Sequence, residues 1–277
     1  MKMLNVFSEN DFEILIATKN RCNLDFLLPM FPFEHFSIFN LVIINQSSDK
    51  ILISDFYTVK VINVAETGLS KSRNKAIENA SKKICLIADD DVVFAENFQK
   101  IIIEAFQNIQ DAAIITFNHK RIGDSQPQKK GNTSFKHDNK SIWNVSSIEI
   151  AFKLDEIKKN SITFDEDFGL GSYFETAEEF LFLKEALNQN LKVYFSPEII
   201  VSHPQFSSGK SAGSAVLIYG RAALFYKLKG KLAPIWLSKY IFFLIRNKYI
   251  RLSEVRKKYN IGLSGIAKFK ELTKNKL

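Results

Sequence analysis

Two groups of carboxylates carry the chemistry that this sequence offers. Asp89, Asp90 and Asp91 follow the apolar run Ile84–Ala88 in "KKICLIADDDVVF" (82–94), and Glu178 and Glu179 open "EEFLFLKEAL". Three adjacent carboxylates repel one another unless a cation offsets their charge. A hard divalent ion with oxygen ligands does this and can hold a phosphate as well, so a metal-bound diphosphate is one reading of the triple aspartate. The other is a polar strand-to-helix turn in which one aspartate caps the next helix. Acids in a first helical turn, as at Glu178 and Glu179, are favoured by the helix dipole alone.

The elements that must position these groups are legible in the hydrophobic pattern. "EILIAT" (13–18), "LVIIN" (41–45), "TVKVINV" (58–64) and "KICLIA" (83–88) are short, rich in Ile and Val, and lack polar alternation. Strands buried on both faces of a parallel sheet read this way. "LSKSRNKAIENAS" (69–81) predicts a capped amphipathic helix, and "AENFQKIIIEAFQNI" places Phe98, Ile101, Ile102, Ala105, Phe106 and Ile109 on one helical stripe. "AAIITF" (112–117) predicts a further strand. The repeated β-α-β units predict an α/β chain with a doubly wound sheet. Such sheets bind ligands outside the carboxyl ends of their strands, where Asp89–Asp91 stand.

Composition limits the alternatives. A chain of 277 residues, 46% hydrophobic and 25% charged, is an ordinary globular one. Cys22 and Cys85 suggest neither a disulfide framework nor a thiolate metal site, which fits a reducing cytoplasm. Acidic residues in the first stretch of chain argue against an export segment, and the mature chain is expected to start at its own methionine. The net charge of +8 is divided unevenly: residues 221–277 hold 15 Lys and Arg against 2 acids, and residues 1–220 hold 23 against 28. A basic tail thus follows an acidic body, and it is expected to face something anionic.

Taken in order, "ILIATKNR", "LVIINQS", "ETGLSKSRNKAIENA", "ADDDVVF" and "FDEDFGLGSYFETAEEFLFLKEALNQNLKVYFSPEIIVSHP" (164–204) resemble the inverting family 2 glycosyltransferases, over roughly residues 12–204. The resemblance implies a GT-A-like doubly wound mixed sheet that binds a nucleotide-diphosphate sugar, with a nucleotide-sugar half (about 1–117) and an acceptor half (about 142–211). Residues 212–277 would form a helical extension. Within the family the chain looks closest to bacterial transferases of surface polysaccharide synthesis.

Carried over by position, the likeness puts Thr18, Asn20 and Arg21 in the first-strand loop at the nucleotide. Asn45 and Gln46 fall where the family has a base-binding aspartate. An amide both donates and accepts, so a UDP-sugar is favoured by the family while the uracil contact is altered. Arg73 is expected at the base or diphosphate, or else on an exposed helix face. Asp89 and Asp91 match a D-x-D pattern, the first toward the ribose and the second toward Mg2+ or Mn2+, with Asp90 between them on the nucleotide-sugar. His203 is expected to help hold the metal or diphosphate, or to be a structural histidine. Ala177-Glu178-Glu179 matches the frame of the family's catalytic Glu-Asp pair with glutamate for aspartate, making Glu179 the expected base and Glu178 the second choice. Trp143 is expected in the core. His35, His119 and His137 match no motif.

The polar stretch 117–141 reads as a functional or mobile loop. The tail mixes Tyr219, Phe225, Tyr226, Trp236, Tyr240, Phe242 and Phe243 with lysines and arginines, and its best apolar run, Ile235–Ile245, is too short to span a bilayer. It predicts a cationic, aromatic helix pair on the inner face of the cytoplasmic membrane, near a glycan or polyprenyl-linked acceptor. A helical cap and a dimer interface are the alternatives. No nucleic-acid-binding motif accompanies the basic tail, so no nucleic acid partner is expected. A noncatalytic sugar-nucleotide-binding or scaffold protein of the same fold remains the alternative to an enzyme.

Overall fold

A computed structural model of the chain describes residues 6–122, 131–203 and 212–275. Residues 123–130 of the polar stretch, Pro204–Ser211 and the N-terminal Met1–Asn5 lie outside them. The chain divides into two compact units. The first comprises residues 1–67, 71–164 and 179–207, and the second residues 68–70, 165–178 and 208–277.

The first unit contains a nine-stranded mixed sheet among the described residues. Strands β1 (Phe12–Lys19), β2 (Leu41–Gln46), β3 (Val59–Val64) and β4 (Ile84–Asp89) are parallel and lie in the order β3-β2-β1-β4. Their β-branched residues suit a sheet covered on both faces, and β2 is buried throughout. Helices α1 (Leu69–Asn79) and α2 (Phe98–Asn108) fall where the patterns predict them. The sheet continues through β8 (Ile150–Lys153), antiparallel to β4, and β6 (Ile114–Arg121) to the long β9 (Val193–His203), parallel to β6. The two-residue strands β5 (Val93–Phe94) and β7 (Phe135–Lys136) both pair with β9. They are too short to show a period in the sequence. Helix α3 is Leu154–Lys159, and α4 is Glu178–Asn188.

Phenylalanine fills the core beneath this sheet. The Phe94 and Phe98 rings stack at 4.5 Å, Phe31 stacks on Phe39 at 4.8 Å, and Phe12 meets Phe98 edge-on at 5.9 Å. Each such pair adds about 0.5–1.5 kcal/mol to the burial of its area. They fix the turn after the triple aspartate, because Phe94 and Phe98 follow it directly. Trp143 departs from expectation: it is 47% exposed and stacks on Phe180 at 3.8 Å, so a ring contact on the surface replaces the expected core position.

The second unit gathers three tail helices rather than a pair: α5 (Ala215–Lys229), α6 (Ala233–Arg246) and α7 (Val255–Asn275). Ser214 caps α5 by accepting from the Leu217 N–H at 3.3 Å. Helix α6 buries Leu237, Tyr240, Ile241 and Leu244 and leaves Ile235, Trp236, Phe242 and Phe243 exposed. Helices α5 and α7 meet through a glycine: a Cβ on Gly265 would lie 2.2 Å from the Tyr219 carbonyl oxygen. The segment 165–178 is seated on the same helices, with Phe168 6.0 Å from Phe269 and Phe174 5.5 Å from Tyr219.

On an exposed helix Gly→Ala gains about 1 kcal/mol. Gly265→Ala is expected instead to destabilise the protein by about 1–3 kcal/mol through overpacking. A lowered urea midpoint at unchanged m-value would show this, and a raised midpoint would refute the close approach.

Candidate active site

The sheet register brings the predicted nucleotide-side residues to one carboxyl edge. Thr18 is level with Asn45, Ala17 with Asp89, and Asn45 with Asn63. After Lys19 the chain turns through Asn20, whose φ of 58° is the left-handed region that asparagine tolerates better than most residues. The Asn20 N–H donates to the Gln46 carbonyl at 3.1 Å, holding the turn on β2.

Each of the three aspartates meets a different partner. Asp89 receives Arg73 Nη2 on Oδ1 at 2.9 Å. Asp90 accepts on Oδ2 from Thr18 Oγ1 at 2.5 Å and from Arg21 Nε and Nη2 at 3.1 and 2.8 Å. Asp91 Oδ1 lies 3.4 Å from His203 Nε2. The antiparallel pairing of β5 with β9, Val93 opposite Ser202, brings His203 to Asp91. A hydrogen bond from His203 holds the Asp91 carboxyl below the usual carboxylate range, against an opposing effect of partial burial. Asp91 is also the most open of the three, with a side chain 51% exposed.

Two predicted contacts turn inward. Arg73 is only 2% exposed; besides Asp89 it donates to Ser147 Oγ at 2.8 Å, and its guanidinium stands 5.4 Å over the Phe164 ring. It is neither an exposed helix residue nor a side chain open to a base or diphosphate. A buried guanidinium requires a carboxylate and hydrogen bonds, and the inward face of α1 supplies that setting. Asn45 is fully buried. Its Oδ1 accepts from the Arg21 N–H at 3.1 Å, and its Nδ2 donates to the Arg21 carbonyl at 3.0 Å and to Asn63 Oδ1 at 2.9 Å. Asn63 in turn exchanges two hydrogen bonds with the Leu52 backbone, both 2.9 Å. The amide that stands where the family has an acid thus organises the loops after β1 and β2. Gln46 is also buried.

Glu178 and Glu179 are the first two residues of α4. Glu178 is buried, and Ala177 before it has a φ of 64°, which costs a Cβ-bearing residue about 1–2 kcal/mol. Glu179 is part-buried, with Oε2 inside the protein. Helix α4 leads through a short connection into β9, which runs parallel to β6 and β4 by way of the antiparallel β8. Phe182 packs against Phe152 on β8.

Among the described residues no group of three or more His, Cys, Asp and Glu side chains is placed to hold a metal ion. A cation carried by a diphosphate needs only one or two protein ligands, since phosphate oxygens and water complete its shell. The ionised Asp91 with His203 beside it fits that requirement.

Sequence reasoning missed one polar pair. His119 Nδ1 lies 2.7 Å from Glu149 Oε1, and Glu149 is fully buried. The pattern Ser146-x-x-Glu149 is legible as a capping box, and the Ser146 N–H does donate to Glu149 Oε2 at 2.7 Å. The partnership with His119 depends on β6 lying beside β8, which no local pattern reveals.

Residues 14–189 match the family model described as glycosyl transferase family 2. No curated protein matches the chain. Among solved structures, the chain is similar to S. aureus TarS 1-349 in complex with UDP-GlcNAc, at 16% identity and a TM-score of 0.59, with 93% of this chain and 80% of that chain covered. The structure of TarS 1-349 in complex with UDP gives 14% identity and a TM-score of 0.55, over 96% and 92% of the two chains. The crystal structure of the longer TarS gives 16% identity and a TM-score of 0.55, over 88% of this chain and 46% of that one. The doubly wound mixed sheet is of the GT-A kind. With the model matching well over half of its length, the chain belongs to glycosyl transferase family 2.

Proposed function

We propose that this chain transfers a sugar from a nucleotide-diphosphate donor to a hydroxyl of a glycan or polyprenyl-linked acceptor, with inversion, in bacterial surface polysaccharide synthesis. The observation that carries the reading is the gathering of Thr18, Asn20, Arg21, Asp89, Asp90, Asp91 and His203 at one carboxyl edge in a member of this family. TarS was crystallised with UDP-GlcNAc and with UDP, which supports a UDP-sugar as donor here.

The side chains divide the work. Asp89, steadied by Arg73, would meet a ribose hydroxyl. Asp91 and His203 would hold Mg2+ or Mn2+, which supplies charge neutralisation for the departing diphosphate when bound. Asp90 ties Thr18 and Arg21 together and keeps the nucleotide loop in place. Glu179 takes the proton of the attacking hydroxyl, with Glu178 beside it in sequence as the second candidate for that role. A single displacement inverts the anomeric carbon. The scaffold alternative draws on the glutamate that replaces the family's aspartate at Glu179, and it would show as nucleotide-sugar binding without turnover.

A second surface supports a membrane-bound acceptor. No helix among the described residues is long and apolar enough to cross a membrane. Helix α6 nevertheless exposes Ile235, Trp236, Phe242 and Phe243, and Leu232, Tyr249 and Leu252 flank it, 76% exposed in the last case. Lys231, Lys239, Arg246, Lys248 and Arg251 lie in the same stretch, which contains no acid. Aromatic groups among cations suit the interface of an anionic leaflet, which supports the reading of a peripheral protein on the cytoplasmic side.

Two measurements check this account. Glu179→Gln is expected to lower turnover about 10²–10⁴-fold in a nucleotide-sugar assay with Mn2+ and to leave nucleotide binding nearly unchanged; an active variant would exclude Glu179 as the base. Trp236→Glu combined with Phe243→Glu is expected to abolish flotation with phosphatidylglycerol vesicles while leaving the melting temperature in place. Flotation equal to that of the unaltered protein would remove the membrane surface.

A further inference from the structure

The His119–Glu149 pair stands outside the roles assigned so far, and it adjoins the triple aspartate from two directions. On one side, His119 and Arg121 are two residues apart on β6 and so share a sheet face. Arg121 is the register partner of His203, which meets Asp91. On the other side, Glu149 shares the short turn Ser147–Glu149 with Ser147, which receives Arg73, the partner of Asp89. Side-chain contacts and chain neighbours together make a circuit whose ends are the aspartates: the pair is linked to Asp89 by way of the Ser147 turn and Arg73, and to Asp91 by way of the strand register of Arg121 with His203. The circuit lies within the first unit.

The pair itself is built as a presented imidazole. Glu149 is fully buried, a costly place for a carboxylate, and it is satisfied by the Ser146 N–H and by His119 Nδ1, each at 2.7 Å. This contact fixes the ring and commits Nδ1 to the inside. The side chain of His119 is 19% exposed, and Nε2 is the ring nitrogen left for an outside partner. A neutral imidazole offers an acceptor there and a charged one offers a donor, and a hydroxyl can meet either. A phosphate is disfavoured, because the carboxylate behind the ring leaves the pair with a net charge of zero or −1. Nor does His119 belong to any group of three candidate metal ligands among the described residues.

We propose that His119, oriented by Glu149, recognises a hydroxyl of the donor's sugar ring. This rests on the nucleotide-sugar reading above: the aspartates at both ends of the circuit address the ribose and the diphosphate, and the group bonded next to the diphosphate is the sugar.

The test compares binding of each nucleoside diphosphate (UDP, GDP, TDP) with that of its hexose conjugates, by calorimetry in the presence of Mn2+. For the donor that the unaltered protein binds, His119→Ala is expected to weaken the nucleotide-sugar about tenfold, as loss of one hydrogen bond does, while the matching diphosphate stays within about twofold of its original affinity. His119→Gln, which keeps an outward amide of similar reach, is expected to retain most of the sugar's contribution, and its melting temperature reports on the fold. Equal weakening of diphosphate and conjugate would show a structural role and overturn the proposal, as would no weakening of either. If the unaltered protein binds none of these ligands, the nucleotide-sugar reading itself fails. If it binds them and His119→Ala changes nothing, only the role of His119 fails.

Discussion

Three neighbouring carboxylates at the end of a buried strand each need a partner, and the surrounding structure is organised to supply three. Arg73 comes from α1, Arg21 from the loop after β1, and His203 from the end of β9. These elements are distant in sequence, so the charge of Asp89–Asp91 acts as a clasp on the first unit. Removing one partner from a buried pair costs about 3–5 kcal/mol because the remaining charge is stranded. Loss of Asp89 comes under this rule, because it would strand the Arg73 guanidinium, which is 2% exposed, whereas Asp89 itself is 30% exposed. The Arg21–Asp90 pair is more exposed, and its contribution is to loop geometry more than to stability.

The partners also rank the three acids. Asp89 and Asp90 receive cationic guanidinium groups, whereas Asp91 receives an imidazole and keeps half of its side-chain surface open. An acid already neutralised by arginine offers little to a metal ion. Asp91 is therefore the carboxylate with charge to spare for a cation, and the pull of His203 keeps it ionised. So few protein donors would suit the diphosphate-borne ion of the proposed function, since a dedicated cage of three or four side chains would compete with the phosphate oxygens for the same positions.

Much of this was legible in the sequence, for identifiable reasons. β1, β2 and β4 are continuous apolar runs, and α1 and α2 carry clean helical stripes, so periodicity revealed them. The order of the motifs implied the family, and the family model bears that out over residues 14–189. What the sequence hid depends on contacts across the sheet. Arg73 reads as a base or diphosphate contact, with an exposed helix face as the alternative, and only the neighbouring Asp89 and Ser147 explain its burial. Asn45 reads as a ligand contact until Asn63, its partner on β3, shows that both of its amide atoms serve the loops. His119 and Glu149 meet because β6 lies beside β8, a pairing that no local pattern reveals.

The tail helices, whatever surface their outer face meets, also have work to do on the inside. The segment 165–178 holds a backbone that would not persist alone: Gly169 and Gly171 have φ of 104° and 76°, and Ala177 carries a Cβ at a φ of 64°. A strained residue survives where its surroundings over-determine it. Those surroundings are Phe269 against Phe168, Tyr219 against Phe174, and Gly220, where an added Cβ would lie 2.8 Å from Thr176 Cγ2. The Ser70 hydroxyl donates to the Phe168 carbonyl at 2.6 Å and leaves room only for glycine at 169. Helices α5 and α7 thus constrain the backbone that delivers the chain to Glu178, so a change in their packing would reach the start of α4 through Thr176 and Ala177. An extension that reads in the sequence as an appended basic tail is, by its packing, the buttress of the loop preceding the acidic pair.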